Sequence, residues 1–347
     1  MHEGAAPPAH RRRARRGRRH RLPVPRLRRR AGRGRPPLSD APAIEARGLG
    51  RDHGGRPALH ALDLAVPAGA LVGLLGPNGA GKTTTMLLLA TLLAPTRGRA
   101  ALFGHDVTRE RRRAREALGL VFQEPSVDGL LTVRENLAFA LALAGLADGG
   151  AGGRIDAALA ASGLARFAGQ QARTLSGGWR RLLDIVRATL HGPRLLILDE
   201  PTVGLDPEHR DAMWHLLDAE RRARGTTVLF STHYLEEAAD ADRVVLLAAG
   251  RVVADGAPAE LAAEVGTLVA EVDGPGAARV AEALDAAGAT VIARTARGVR
   301  LGLRAGGERL AEVATPERGV TRLVVRAPSL DDAYLLHTQA ARAEGAA

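Results

Sequence analysis

The chain has 347 residues, 46% hydrophobic and 25% charged, the composition of a globular protein of about two domains plus tails. It has no cysteine, which excludes disulfides and thiolate metal sites and fits a reducing compartment. The formal net charge of +11 is a local property: residues 1–40 hold 14 arginines against Glu3 and Asp40, so the rest of the chain is close to neutral.

Residues 1–42 form an Arg/Pro/Gly/Ala-rich tail. Its composition predicts disorder, because too little apolar surface is available to offset the entropy of ordering. Three readings of the tail compete: a contact with anionic lipid or nucleic acid, an inert extension, or upstream sequence translated from a start assigned too early. The last ranks first, since a domain pattern begins only at Ala43. No apolar stretch follows the charged start, so a signal peptide is not expected. The longest apolar runs, Met86–Ala94 and Leu137–Ala147, fall short of the roughly 18 residues of a membrane span. A soluble chain is expected, for which any membrane role needs a partner.

From Ile44 a two-stranded opening is predicted, with alternation at Leu62, Leu64 and Val66. A short buried strand, Leu71–Leu75, runs into the glycine-rich loop Gly76–Gly81 and a helix from Lys82 to about Leu93. Residues 108 to about 190 read mostly as helices, among them Val133–Leu146 and Ile155–Ser162, forming an inserted helical subdomain. Strands return at Leu195–Leu198, Thr226–Phe230 and Arg243–Leu247. Between the first two, a helix opens on Asp206-Pro207, closes on Gly225 and turns Met213, Trp214, Leu216 and Leu217 inward. Strands alternating with helices place residues 43–265 in the α/β class with a mostly parallel sheet.

A boundary near Gly266 separates residues 266–347. Their order is strand Leu268–Val272, helix Ala277–Ala287, strands Thr290–Ala293 and Val299–Leu303, a helix, then strand Arg322–Val325. That order predicts a small α+β domain of βαββαβ type. A last helix starts at Ser329, where Ser329 and Asp332 match a capping box.

Gly76-Pro77-Asn78-Gly79-Ala80-Gly81-Lys82-Thr83 fits a phosphate loop between a strand and a helix. Such glycines turn backbone N–H groups inward around a phosphate, and the helix N-terminus adds a favourable dipole. Lys82 would reach the β- and γ-phosphates, and Thr83 would offer its hydroxyl to Mg²⁺. Of the 49 basic residues Lys82 alone is lysine, which marks a position where a compact ammonium is required. Asp199-Glu200 follows a buried strand at its C-terminal end, where α/β sheets bind ligands. Asp199 would hold Mg²⁺ through water, and Glu200 would polarise the attacking water. Alone, such a pair is more often a solvated loop; beside a phosphate loop the odds reverse. Ser176-Gly177-Gly178 precedes a helix carrying Arg180 and Arg181, and its plain reading is an N-cap with a second anion-binding helix start.

Taken together, Lys82, Gln123, Ser176-Gly177-Gly178, Asp199-Glu200, Asp206 and His233 resemble, in order and spacing, the ATP-binding-cassette family over about residues 43–262. The loop Gly76 to Lys82 continuing through Thr83 and Thr84, the run Glu200-Pro201-Thr202-Val203-Gly204-Leu205-Asp206-Pro207, and Pro328-Ser329-Leu330-Asp331-Asp332 resemble its antibiotic-resistance exporter branch, typified by daunorubicin-resistance ATPases. The resemblance implies a phosphate-loop NTPase cassette: a mostly parallel sheet, an antiparallel β subdomain, an inserted helical subdomain and a small α+β C-terminal domain. It implies ATP and Mg²⁺ as cofactors and hydrolysis coupled to export. Partners would be an integral-membrane permease and a second ATP-binding subunit, and the location cytoplasmic, on the inner membrane face. In such a dimer Ser176, Gly177 and Gly178 would meet the γ-phosphate held by the other subunit's Lys82, and Asp206 would communicate between subunits. Gln123 would sense Mg²⁺ and couple to the permease, and His233 would contact the γ-phosphate.

Two positions depart from the family. Trp179 stands where glutamine is usual, which predicts an altered rate rather than loss. No adenine-stacking aromatic is found near the start; His53 occupies roughly that place. A competing reading is a soluble cassette ATPase acting on nucleic acid or ribosomes. The tail has no aromatic residue to stack bases, and the chain has one cassette, so no specific nucleic-acid partner is expected. A regulatory cassette unable to hydrolyse is disfavoured by the presence of both Glu200 and His233.

Overall fold

The computed structural model describes residues 41–285, 288–304 and 307–345. The tail through Asp40, and residues 286–287 at the end of the helix expected over Ala277–Ala287, lie outside them.

Strands β1 (Ile44–His53) and β2 (Arg56–Val66) pair antiparallel, with Leu62, Leu64 and Val66 facing inward as the alternation predicts. The five apolar residues of β3 (Leu71–Leu75) are all buried, and the chain turns directly into α1 (Lys82–Leu89). This helix is shorter than the expected span to Leu93. Thr91 sits at φ +62°, which breaks the ladder, and the Leu92 and Leu93 amides turn back to the Leu87 carbonyl. Strands β4 (Arg97–Leu102) and β5 (His105–Asp106), absent from the sequence reading, complete an antiparallel sheet in the order β2-β1-β4-β5.

The segment from 108 to about 190 corrects the expectation of helix. After α2 (Arg111–Glu116) comes a strand, β6 (Leu118–Val121), before helices α3 (Val133–Leu143), α4 (Ala151–Ala161) and α5 (Gly177–Thr189). A four-residue apolar run carries no periodicity that separates a buried parallel strand from a helical segment. The helices share a core of Val133, Leu137, Leu141, Ile155, Leu159, Leu182 and Leu183. Then follow β7 (Leu195–Leu198), α6 (Pro207–Arg224), β8 (Thr227–Thr232), α7 (Leu235–Ala239), β9 (Arg243–Ala248), β10 (Arg251–Gly256) and α8 (Pro258–Glu264). Helix α6 opens and closes where its sequence signals lie: Asp206 accepts from the His209 amide, Pro207 takes the first turn, and Gly225 caps at φ +67°.

The central sheet has the order β10-β9-β3-β8-β7-β6, parallel except for β10. Alternate residues of its strands feed opposite layers. Leu74, Ile197, Leu229 and Val245 pack with α1 and the antiparallel sheet, whereas Leu75, Leu198, Phe230 and Leu246 pack with α5 and α6. Each such fully buried Leu or Phe contributes about 1.5–3 kcal/mol. Because β3, β6, β7 and β8 run in parallel, their C-terminal ends deliver the glycine loop, Gln123, Asp199-Glu200 and His233 to one edge. Among the described residues no helix is long and apolar enough to cross a membrane.

The last unit is β11 (Leu268–Asp273), α9 (Ala277–Asp285), β12 (Thr290–Arg294), β13 (Gly298–Leu303), α10 (Gly307–Val313), β14 (Arg322–Arg326) and α11 (Leu330–Gly345). Its antiparallel sheet has the order β12-β13-β11-β14. One face packs on α9 and α10 through Ala270, Val272 and Leu301; Val269 and Ile292 on the other join Leu330 and Ala333 of α11 in a core shared with the central sheet.

That junction is fastened by Asp332, whose side chain is fully buried. Arg326 grips it through two hydrogen bonds of 2.6 and 2.8 Å, Arg300 adds one at 3.1 Å, and the Ser329 amide and hydroxyl donate at 2.9 and 2.8 Å. The expected capping box thus forms by half: Asp332 reaches back to Ser329, but the serine hydroxyl donates to the carboxylate instead of accepting from its amide. Burial works against ionisation of Asp332, yet the bonds from Arg326 and Ser329 outweigh it and hold the carboxyl below its ordinary range. Asp332→Ala leaves Arg326 with Glu271 and Arg300 with Asp331 and Glu271, but it removes the bonds from Arg326, Arg300 and Ser329 that meet at one buried carboxylate, and is expected to cost about 2 kcal/mol in a denaturant titration. Because the folded value is lowered, the wild-type contribution is complete at neutral pH and is lost as acid carries the pH through that value; the variant's stability should lack this dependence.

Candidate functional site

The edge formed by the ends of the parallel strands holds a cavity of about 640 Å³, lined by Asn78, Gly79, Ala80, Gly81, Lys82, Thr83 and Thr84 together with Ala58, Gln123, Glu200 and His233. The loop after β3 is tight for a steric reason. A Cβ at Gly76 would lie 2.2 Å from the Leu247 carbonyl oxygen, so only glycine lets the loop leave the sheet there. Lys82 is 6% exposed, and its Nζ donates to the Gly76 and Pro77 carbonyls at 2.8 and 3.2 Å. Burial pushes this ammonium below its ordinary range, opposed by the negative charges of Glu200 and Asp199. A glycine-rich loop leading into a helix start, with one cation in the cavity lining, is suited to a polyphosphate.

Beside the loop, Asp199 is 6% exposed and accepts from the Ser231 hydroxyl at 2.5 Å. The same hydroxyl accepts from the Glu200 amide at 2.9 Å. Glu200 sits at φ +44°, a strained conformation for a non-glycine residue. Its Oε1 lies 3.5 Å from Nδ1 of His233, whose ring packs tilted against Tyr234 with centroids 4.2 Å apart. Ser231 escaped the sequence reading; its signal was its place two residues before His233, on the strand beside Asp199.

Thr83 and Gln123 line the cavity and Asp199 lies beside Glu200 outside its lining; all three carry oxygen donors, the type of ligand that fits Mg²⁺. Among the described residues no group of three or more His, Cys, Asp or Glu is placed to hold a metal ion. Magnesium keeps several waters and takes one or two carboxylates plus substrate phosphates, so a site with a single carboxylate such as Asp199 suits it when a polyphosphate is bound.

Ser176 caps α5, accepting from the Trp179 amide at 3.5 Å. Ser176, Gly178 and Asp206 lie outside the first cavity's lining; a second cavity of about 390 Å³ takes in Gln123, Gly177, Arg180, Arg181 and Val203–Leu205. Gln123 therefore borders both. Gly178 has no room for a side chain, since a Cβ would come within 2.6 Å of the His209 ring. Trp179 fills the surface beside it, 5.1 Å from the Phe167 ring and 4.9 Å from His209, whose Nδ1 is 2.8 Å from Asp206 Oδ2. Asp206 is thereby committed to capping α6 and holding His209 within this chain. His53 lies exposed at the β1–β2 turn, and Ala58 rather than His53 lines the first cavity.

The family model for ABC transporters matches residues 59–203. The daunorubicin/doxorubicin resistance ATP-binding protein DrrA of Streptomyces peucetius is 40% identical over 305 residues, covering 85% of this chain and 92% of the relative. The chain belongs to the ABC transporter family. A Nod factor export ATP-binding protein I from Burkholderia orbicola is 39% identical over 251 residues, covering 72% of the cassette chain and 82% of its own. Among solved structures, cbiO1 of Clostridium perfringens, part of the transporter complex cbiONQ, superposes with a TM-score of 0.60 at 28% identity, over 65% of this chain and 92% of that one. A dimeric ATP-binding cassette in a post-hydrolysis state with ADP and Pi gives 0.56 at 27% identity, over 62% and 98%. The fold is therefore the α/β cassette of ABC ATPases with the additional α+β unit at the C-terminus.

Proposed function

We propose that this cassette is the ATP-hydrolysing subunit of an exporter, working with a separately encoded integral-membrane permease and a second nucleotide-binding subunit closed head to tail. The observation that carries the reading is the convergence of Lys82, Thr83, Gln123, Glu200 and His233 on one cavity. Residues Gly76–Thr84 cradle the phosphates and Lys82 neutralises the β- and γ-phosphate charge. Thr83, Gln123 and Asp199 would hold Mg²⁺, which would offset charge on the leaving phosphates. Glu200 orients the attacking water, and His233, 3.5 Å from Glu200, contacts the γ-phosphate. Ser176, Gly177 and Gly178 present their helix start to the nucleotide of the second subunit, with Asp206 beside that contact. Export is supported by the relatives, which are a daunorubicin/doxorubicin resistance ATP-binding protein and a Nod factor export ATP-binding protein.

The purified chain is expected to hydrolyse MgATP, to lose turnover on chelation of Mg²⁺, and to be stimulated when reconstituted with its membrane permease. An absence of hydrolysis both alone and with that permease would defeat this reading.

A further inference from the structure

Arg181, five residues beyond Ser176 on α5, is only 3% exposed. Its nearest carboxylate oxygen, Asp184 Oδ2, is 4.0 Å away, so no close ion pair explains the burial of its charge. The guanidinium donates instead to four backbone carbonyls. Nε reaches Pro201 at 2.8 Å, Nη2 reaches Asp199 and Glu200 at 3.0 Å each, and Nη1 reaches Phe122. These acceptors belong to two stretches far apart in sequence: the loop carrying Asp199 and Glu200, and the residue preceding Gln123. A rigid fork with donors on three nitrogens can span them, whereas a single ammonium cannot.

Two further residues on the same helix extend the attachment. Arg187 donates to the Ser126 carbonyl at 2.9 Å, and the fully buried Asp184 accepts from the Ser126 hydroxyl at 3.2 Å. Gln123 is thus bracketed by Phe122 and Ser126, both tied to α5. Glu200, at φ +44°, is held from both sides: its amide by Ser231 and its carbonyl by Arg181. A strained backbone of this kind persists only where its surroundings over-determine it.

We propose that Arg181 is a positioning residue for hydrolysis: it holds Glu200 and Gln123 in register and makes both move with the helix that begins at Ser176. Engagement of Ser176 by a second subunit then reaches the attacking-water residue of the same chain through one side chain. The inference rests on the role proposed above for Glu200.

The test uses full-length Arg181→Gln and Arg181→Lys, with turnover, affinity for a fluorescent ATP analogue and thermal midpoint measured on each. Turnover of Arg181→Gln should fall about 10²-fold, the scale of a small misplacement of a reacting group. Nucleotide affinity should change by less than about threefold, because no phosphate-loop atom touches the guanidinium. Arg181→Lys, keeping the charge but not the fork, should recover part of the turnover. Near-normal turnover in folded Arg181→Gln would overturn the proposal. So would a parallel loss of affinity and turnover, or a failure of both variants to fold, either of which makes Arg181 a residue of the fold alone. Wild-type hydrolysis separates the two readings: an active wild type with an equally active Arg181→Gln defeats this inference alone, and an inactive wild type defeats both.

Discussion

Glu200→Gln is expected to bind MgATP with nearly unchanged affinity and to hydrolyse it about 10³-fold more slowly, within the usual contribution of a positioned general base. The substitution is nearly isosteric, so the backbone strain at Glu200 and its bonds to Ser231 and Arg181 should survive. What is lost is the negative charge that draws a proton from the attacking water, while phosphate binding by Lys82 is preserved. If closure requires ATP and reopening requires hydrolysis, the variant should also accumulate as an ATP-bound dimer in size-exclusion chromatography with MgATP. A variant that stays monomeric and turns over at close to the wild-type rate would remove Glu200 from the reaction.

The second large effect concerns Lys82. In Lys82→Arg, turnover is expected to fall by about 10²-fold or more, the scale of losing one donor aimed at developing charge. The reason is steric and geometric, since charge is conserved. The ammonium fits between the Gly76 and Pro77 carbonyls at 2.8 and 3.2 Å, and a planar fork does not fit that space. A direct reading comes from labelling, because an amine reagent meets two targets in this chain, Lys82 and the N-terminus. Burial lowers the Lys82 pKa, which enlarges its reactive neutral fraction at mildly alkaline pH. Bound MgATP should shield Lys82, and AMP, lacking the β- and γ-phosphates, should protect it much less. Equal labelling by mass spectrometry with MgATP, AMP and no nucleotide would contradict phosphate binding by this residue.

Much of the local structure could be read from residue order, because local geometry has local chemical requirements. The strand Leu71–Leu75, the glycine loop, the helix from Pro207 to Gly225 and the βαββαβ order after Gly266 each announce themselves through burial pattern, caps or turns. Elements lacking such signals were misread. The strand Leu118–Val121 is a short apolar run inside helical surroundings, and its identity comes only from pairing with Leu195–Leu198. That pairing is what carries Gln123 to the cavity. The overlong first helix failed for a related reason: apolar residues continue past Leu89, but Thr91 leaves the helical conformation to turn toward the antiparallel sheet.

Motif chemistry was equally legible for Lys82, Thr83 and the Asp199-Glu200 pair, since a phosphate loop and a carboxylate pair at a strand end have meaning in themselves. The sequence alone therefore determined the class of fold, the family and most of the residues that line the cavity at the strand ends. Tertiary structure decided how those residues are held: Ser231 between Asp199 and Glu200, Arg181 across two distant loops, and Asp332 fastening the last helix under Arg326 and Arg300. It also left His53 outside the cavity lining and put Ala58 in it. The physical reason is common to all of these. A buried hydrogen bond between segments distant in sequence depends on strand order and helix packing, and neither is encoded at the positions of its donor and acceptor.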